Sequence, residues 1–162
     1  MRARSVDRMI ESAVWIIMVF LLIKYVPKNR LREASVAFMF KQMITWLFGL
    51  LVVEKKLIKY PHRLFFTKAL KSSFTFEYFV YPALCVLFNL YYPERKSKIS
   101  KLFYYLSHTL FITISEAIFE KYTRLIKYRN WNWYRTFITI WLTYYLSRIY
   151  HRWFFKDSRS SY

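Results

Sequence analysis

The 162-residue chain contains one glycine, Gly49, one cysteine, Cys85, and four prolines. One cysteine cannot form a disulfide within the chain, and because Cys85 lies in an apolar run we expect it to be a buried hydrophobic residue. One glycine excludes the glycine-rich phosphate loops of motors and kinases and the GxSxG turn of serine hydrolases. The scarcity of turn-forming residues is also unusual for a water-soluble domain.

Acidic residues are scarce as well, because 9 Asp and Glu stand against 27 Lys and Arg, a formal net charge of +18. A basic excess is typical of proteins that bind nucleic acid or an anionic membrane surface. The rest of the composition distinguishes these partners, since 56% of the residues are hydrophobic and 23% are aromatic. We therefore expect a membrane protein that binds anionic lipid, and no nucleic-acid binding.

Apolar runs long enough to cross a bilayer as helices occur five times. A helix needs about 20 mostly apolar residues to span the hydrocarbon, and the runs lack the alternation of barrel strands. No small-x-small cleavage site follows the first run, so we expect an uncleaved first span. The sequence predicts an all-α integral membrane helical bundle in one domain, with spans near residues 9–26, 34–53, 74–92, 102–126 and 131–150.

The longest connection, residues 54–73, mixes six bases with apolar residues. This composition is typical of a basic amphipathic helix lying in the membrane interface, which Pro61 would break near its start. Lys and Arg divide 14 to 12 between the two sides of a five-span topology, so they do not decide the orientation. We place the N-terminus in the cytoplasm because the two most basic connections then face inward.

Several polar residues fall inside or beside the predicted spans, where ionisable groups are costly and tend to face a partner or a cavity. Glu116, Glu120 and Arg124 recur every four residues and would form one stripe on a helix. Three interpretations fit: a packing network, a span that ends near Glu116, or a transport or catalytic site. The network would pair Glu116 with Lys41 and Glu120 with Arg124. The candidate cluster comprises Lys41, Glu77, His108, Glu116, Glu120 and Arg124.

The sequence predicts no metal site and no cofactor. His108, Glu116 and Glu120 share a broad helical face, but their spacing is not that of a recognised ligand set. The HExxH motif and Cys/His pairs are absent from the sequence. The two acids are also separated by three residues, unlike the adjacent glutamates of some intramembrane proteases.

Three stretches, KLIKYPHR, FEYFVYP and EAIFEKYTRLIKYRNWNWYRTF, resemble an uncharacterised family of small multi-spanning membrane proteins from endospore-forming relatives of Bacillus and Clostridium. The resemblance covers about residues 52–137, and the Trp-x-Trp-Tyr segment is its most specific part. Glu77 stands where the family favours Asp, and Asn130 where it favours Gly. The matching positions, which we call the motif positions, are Tyr60, Pro61, Arg63, Glu77, Tyr78, Tyr81, Pro82, Glu116, Glu120, Thr123, Trp131, Trp133, Tyr134, Thr136 and Phe137.

The resemblance implies a multi-pass protein of a bacterial cell or spore membrane, and no particular activity. We expect a non-catalytic structural or accessory protein that binds anionic lipid and could bind a membrane-protein partner or a second copy of itself. The alternative is a lipid- or solute-handling protein, a transport component or an intramembrane enzyme, that uses Glu77, Glu116, Glu120 and Arg124. A dry bundle with each acid paired to a base would favour the first role, and a cavity holding unpaired acids would favour the second.

Overall fold

The computed structural model describes residues 2–156, with the side chains of residues 5–156, and it is mostly helical. The two shortest elements, β1 and β2, pair antiparallel, with Ile58 opposite Tyr128. The predicted all-α class is confirmed. In chain order, the elements are α1 (Arg2–Tyr25), a 3₁₀ turn (Lys28–Arg30), α2 (Leu31–Glu54), β1 (Ile58–Lys59), a π-helical segment (Phe74–Val80), α3 (Tyr81–Leu90), α4 (Lys98–Tyr122), β2 (Lys127–Tyr128) and α5 (Trp133–Phe154).

The centre of the bundle is α2, which packs most extensively against α3 and also contacts α5 and the π-helical segment. The second large helix contact joins α4 to α5. One apolar cluster lies around β1 and the connection after α4, where Ile58, Leu125 and Ile126 are buried. Another lies around Phe88 and Tyr144, between α3, α4 and α5. These contacts bring one face of every helix to a shared interior.

The bundle buries polar side chains and exposes apolar ones. Lys41 and His151 have no exposed surface, whereas Ile23, Met39 and Phe111 are 77%, 70% and 62% exposed. Charged side chains are almost never fully buried in water-soluble proteins, and large exposed apolar surfaces are rare in soluble monomers. Beside its apolar clusters, the bundle thus buries several charged side chains and carries large apolar side chains on its surface.

Two helical segments are long and apolar enough to cross a membrane, Lys28–Glu54 and Lys98–Tyr122. The helix of Phe74–Leu90 is apolar but shorter. These two segments coincide with the spans predicted near residues 34–53 and 102–126. The spans predicted at residues 9–26, 74–92 and 131–150 stay predictions.

The predicted interfacial helix over residues 54–73 is wrong. This connection forms turns and the short strand β1. Lys56 and Phe66 have positive φ values of 54° and 52°, a left-handed conformation that a right-handed helix does not contain. The mixture of basic and apolar residues that predicted a helix thus occurs here in a non-helical connection.

Arg63 explains why the connection folds back on itself instead of forming a helix. Its guanidinium donates hydrogen bonds to the carbonyl oxygens of Tyr60, Thr67 and Lys71, at 3.0, 3.0 and 3.3 Å. In a helix, these carbonyls would instead accept bonds from the N–H groups four residues later. Pro61, which has no N–H group, adds a second obstacle to helix formation.

Pro82 marks the change from the π-helical segment to α3. Because proline lacks an N–H group and crowds the carbonyl four residues earlier, regular α-helical bonding cannot run through it. The N–H of Tyr81 instead donates to the carbonyl of Phe76, five residues earlier. Ser73 caps the segment by accepting a bond from the N–H of Phe76. The wider helix that results carries Glu77.

Helix α4 ends at Tyr122, four residues before the predicted end of the fourth span. Thr123 has an extended backbone, and its hydroxyl accepts a bond from the N–H of Leu125 at 3.2 Å. The chain then turns so that Leu125 and Ile126 enter the core. The fifth helix begins at Trp133, two residues after the predicted start.

Candidate functional site

A cavity of about 80 Å³ lies between the helices, and two acids, Glu77 and Glu116, line it. Both are buried, with 3% and 7% of their surface exposed. Helices α2 to α5, the π-helical segment and β1 all contribute to the wall. The polar lining residues are Thr45, Tyr60, Glu77, Tyr81, Glu116, Trp131, Thr136, Thr139 and Thr143. We call this space the carboxylate cavity.

Glu116 is surrounded by hydroxyl groups. Tyr81 donates to its Oε2 at 2.9 Å, while Tyr128 and Thr136 both donate to its Oε1 at 2.8 Å. The three donors come from α3, β2 and α5, so the acid ties together three parts of the chain. Among residues 5–156, no Lys, Arg or His forms an ion pair with Glu116.

A second layer of contacts fixes these donors. The indole N–H of Trp131 donates to the hydroxyl oxygen of Thr136 at 2.8 Å, which leaves the Thr136 proton directed at Glu116. Burial, together with the neighbouring Glu116, raises the pKa of the Tyr128 hydroxyl above its usual range. Tyr128 therefore keeps its proton at neutral pH and remains a hydrogen-bond donor.

Glu77 reaches the same cavity from the π-helical segment. Its Oε2 is buried and accepts no hydrogen bond from the described residues. The hydroxyl of Thr45 donates to the Glu77 carbonyl at 2.7 Å and so fixes the backbone that carries the acid. Tyr60 lies beside the carboxylate, and burial, followed by the charge of Glu77, raises the pKa of the Tyr60 hydroxyl well above its usual range.

Gly49 provides the space for the Glu77 carboxylate. A side-chain carbon added at Gly49 would overlap the carboxylate carbon and both of its oxygens. The single glycine of the sequence therefore lies where α2 must approach this acid closely.

Among the residues that the structure describes, the carboxylate cavity is lined by two acidic side chains and by no basic one. Glu77 and Glu116 line the same cavity, and the charge of Glu116 acts on Glu77. The described basic side chains form no ion pair with either acid. An ionised carboxylate is strongly disfavoured in a low-dielectric interior unless a positive charge compensates it. Chemically, the arrangement can accept a proton or another small cation.

Lys41 does not pair with Glu116, so this predicted ion pair is wrong. The Lys41 ammonium donates to the hydroxyl of Thr143 and lies 4.6 Å from the ring centre of Tyr144. Thr143 follows the Glu116 partner Thr136 by seven residues on α5, a rise of about 10 Å. The helix thus keeps the base away from the acid.

The other members of the predicted cluster lie elsewhere. Glu120 is half-buried and pairs with Lys127 at 3.9 Å. The predicted pair of Glu120 with Arg124 is wrong, because α4 ends at Tyr122 and the helical spacing no longer applies. His108 contacts the carbonyl of Tyr104 at 2.9 Å, in a different part of α4.

Six motif positions line the carboxylate cavity: Tyr60, Glu77, Tyr81, Glu116, Trp131 and Thr136. The remaining ones serve local structure or lie at the surface. Pro61 and Arg63 shape the connection after α2, Tyr78 stacks on Phe74 with ring centres 5.1 Å apart, and Pro82 is buried. Thr123 ends α4, while Trp133 and Tyr134 are exposed at the start of α5.

Helix α5 carries a buried polar face that the sequence analysis missed. Thr136, Thr143, Ser147 and His151 are all buried, and their spacings of seven, four and four residues place them on one side of a helix. Ser147 lies 3.0 Å from the thiol of Cys85. This spacing indicates a shared helical face and could have been recognised in the sequence. The many aromatic residues between these positions made it less apparent.

Two buried acids of α1, Asp7 and Glu11, were also missed. They are 3% and 1% exposed, and their spacing of four residues predicts a shared face. Asp7 accepts a hydrogen bond from the N–H of Arg124 at 3.3 Å, and Glu11 lies 3.7 Å from the ring of His62. Both acids tie α1 to connections outside the carboxylate cavity.

Comparisons of the chain with protein-family models, with curated proteins and with solved structures gave no match. The role of the carboxylate cavity is therefore inferred from its chemistry.

Proposed function

We propose that the protein is a multi-pass integral protein of a bacterial cell membrane, and that it binds a small cation between Glu77 and Glu116 as a solute-handling transport component. The proton is the smallest such cation. The observation that carries this proposal is the pair of buried carboxylates in one cavity, with no described base to neutralise either of them.

The surface of the bundle supports insertion into a membrane. Besides the two apolar segments, α1 and α5 contain 24 and 22 residues, which correspond to roughly 36 and 33 Å and match a hydrocarbon core of about 30 Å. Apolar side chains such as Ile16 and Trp153 are exposed on them. Contact of these apolar faces with hydrocarbon is favourable, whereas their contact with water is not.

The state of the two acids supports cation binding. An ionisable group in a membrane costs a few kcal/mol, so one that lies there commonly serves a proton or ion path. Glu77 has an unpartnered oxygen, and Glu116 has both oxygens held in place by hydroxyl donors. A cation between the carboxylates would offset their mutual repulsion.

The π-helical segment supports a functional role for Glu77 in particular. Such segments are rare and occur often at functional sites, because they direct a side chain differently from an α-helix. Irregular helical backbone inside membranes is also typical where it lines a binding cavity. Here the irregular stretch carries Glu77 into the carboxylate cavity.

A non-catalytic accessory role is the second candidate. The observation that favours it is the complete set of hydroxyl donors around Glu116, which joins α3, β2 and α5 as a packing network would. In this case the acids stabilise the contacts between helices, and no cation is required. A lipid or protein partner would then interact with the outside of the bundle.

Proteoliposomes containing the purified full chain distinguish the two roles. With the membrane potential clamped, an imposed proton, Na⁺ or K⁺ gradient should drive a protein-dependent flux that an internal dye reports. Glu77→Gln and Glu116→Gln should each reduce this flux by about tenfold or more, because a charge-assisted contact contributes roughly 1.5 kcal/mol or more. Both changes keep the shape of the side chain.

The matched control is Glu120→Gln, which removes an acid one turn further along α4 but outside the carboxylate cavity. Its flux should stay within about twofold of the unmodified protein, since a half-exposed ion pair contributes little. Absence of any protein-dependent flux, or equal effects of all three changes, would contradict the cation-binding role and leave the accessory role.

A further inference from the structure

A second cavity, of about 710 Å³, opens where α2 ends and meets β1. Five of its lining residues are basic, and Glu54 is the one acid among them. We call this cavity the basic basin. Its bases are Lys56, Lys59, Arg63, Lys71 and Arg129.

Most of the positive charge in the basic basin is not neutralised by the protein. Lys56, Lys59, Lys71 and Arg129 are exposed, and among residues 5–156 no ion pair joins any of them to a carboxylate. The connection after α2 therefore gathers like charges around one space. Such an arrangement is stabilised when an anion enters it.

The pairing of β1 with β2 fixes the backbone of one of these bases, Lys59. Lys59 lies directly opposite Lys127 in the antiparallel register, and like charges opposite each other destabilise a strand pair. Lys127 is compensated by Glu120 at 3.9 Å. Lys59, in contrast, lines the basic basin.

The wall of the basic basin is built by specific hydrogen bonds. Arg63, half-buried, uses its guanidinium to hold the carbonyls of Tyr60, Thr67 and Lys71. On the other side, the N–H of Arg129 donates to the carbonyl of Leu57 at 2.9 Å. These contacts fix the Arg63 side chain and the backbone on both sides of the space.

The position of the basic basin fits the headgroup layer of a membrane. It lies at the end of α2, one of the two segments long and apolar enough to span, and Ile58 and Tyr60 separate it from the carboxylate cavity, which they also line. Phe65 and Phe66, on the same connection, are 40% and 56% exposed. Exposed aromatic side chains beside bases are typical of segments that contact lipid.

We infer that the basic basin binds the phosphate group of an anionic phospholipid. Lys and Arg form charge-assisted hydrogen bonds to phosphate oxygens, and basic pockets at the membrane-facing ends of helices bind anionic headgroups. A free phosphate ion presents the same chemical group, but the exposed Phe65 and Phe66 favour a ligand that also has acyl chains. The inference rests on insertion of the bundle into a membrane and is independent of cation binding by Glu77 and Glu116.

Native mass spectrometry of the detergent-purified full chain tests the inference. Titration with phosphatidylglycerol should show one tightly retained lipid, and titration with phosphatidylcholine should not. The double variant Lys59→Gln/Arg129→Gln should bind phosphatidylglycerol about 10- to 30-fold more weakly, the loss expected for two lost charge contacts. Both side chains are exposed, so the fold should persist, and an unchanged melting temperature checks this.

The matched control, Arg95→Gln/Lys96→Gln, removes the same charge from exposed positions between α3 and α4, and its lipid affinity should not change. An equal loss of phosphatidylglycerol affinity in both double variants would mean that the lipid is attracted by the overall positive charge of the protein. This result would overturn the inference. Equal binding of phosphatidylcholine, or displacement of the lipid by a similar concentration of inorganic phosphate, would overturn it too. Glu77→Gln should leave lipid binding intact, so failure of this inference can be distinguished from failure of the cation-binding role.

Discussion

Gly49 and the carboxylate of Glu77 occupy neighbouring positions so close that no side chain fits between them. Glycine in the middle of a helix costs about 1 kcal/mol relative to alanine, yet the only glycine of the chain lies inside α2. The position and orientation of Glu77 thus depend on this missing side chain.

Gly49→Ala should destabilise the protein, although the same change usually stabilises a helix. The added methyl group must displace the buried Glu77 carboxylate, and such overpacking costs about 1–3 kcal/mol. Thermal unfolding in detergent should therefore show a lower melting temperature. Protein-dependent cation flux should fall as well, because the displaced acid no longer faces Glu116 correctly.

The double variant Gly49→Ala/Glu77→Asp provides the control. Aspartate is one methylene shorter, so its carboxylate leaves space for the methyl group, and the melting temperature should recover part of the loss. A Gly49→Ala protein more stable than the unmodified chain, as expected for the same change elsewhere in a helix, would show that Glu77 does not occupy this position.

Thr136 should contribute to the stability of the protein through its hydroxyl group and not through its shape. Thr136→Val keeps the volume but removes a donor to Glu116 and the acceptor of the Trp131 N–H. Leaving these buried groups unpaired should cost about 1–3 kcal/mol. Denaturant unfolding in detergent measures this loss.

Thr136→Ser is the matched control, because serine retains the hydroxyl and lacks only the methyl group. Its stability should lie within about 1 kcal/mol of the unmodified protein. If valine proves as stable as serine, the hydroxyl network around Glu116 does not form.

Cysteine labelling should show that α3 connects opposite sides of the membrane. Cys85 is fully buried and should not react with a membrane-impermeant maleimide, so it can stay in place. Lys59→Cys and Arg129→Cys should label from the same side, because β1 and β2 hold these connections together. Arg95→Cys, which follows α3, should label only from the other side.

Intact and permeabilised cells provide this measurement, and labelling after SDS denaturation confirms that each cysteine is present. Labelling of all three positions from one side would mean that the Phe74–Leu90 helix does not cross. The five-span topology would then be wrong, whatever the role of the acids.

The long apolar runs made the helices predictable, because their lengths and end signals are local properties of the sequence. Glu77 and Glu116 were also identifiable, since an acid in an apolar run is unusual wherever the chain folds. Their partners were not predictable. Tyr81, Tyr128 and Thr136 come from three separate segments, and no spacing rule relates them to Glu116.

The connection between α2 and α3 shows a second limit of prediction from the sequence. Its mixture of basic and apolar residues predicted a helix. This prediction was wrong because composition alone carries no information about hydrogen bonds from side chains to the backbone. One residue, Arg63, binds three carbonyls of this connection and holds it in a folded-back, non-helical conformation. The same bases then surround a cavity in place of lying along one helical face.

Mapping the reaction of the protein with dicyclohexylcarbodiimide in lipid nanodiscs tests the central claim most directly. This apolar reagent modifies protonated carboxyl groups in apolar surroundings, and peptide mass spectrometry locates the adduct. We predict modification mainly at Glu77, whose Oε2 is unpartnered, slower modification at Glu116, and little at Glu120. If the bound cation is Na⁺ or K⁺, an excess of that ion should protect Glu77. Modification of Glu120 as fast as Glu77, or none at Glu77, would contradict a cation-binding carboxylate cavity inside a membrane bundle.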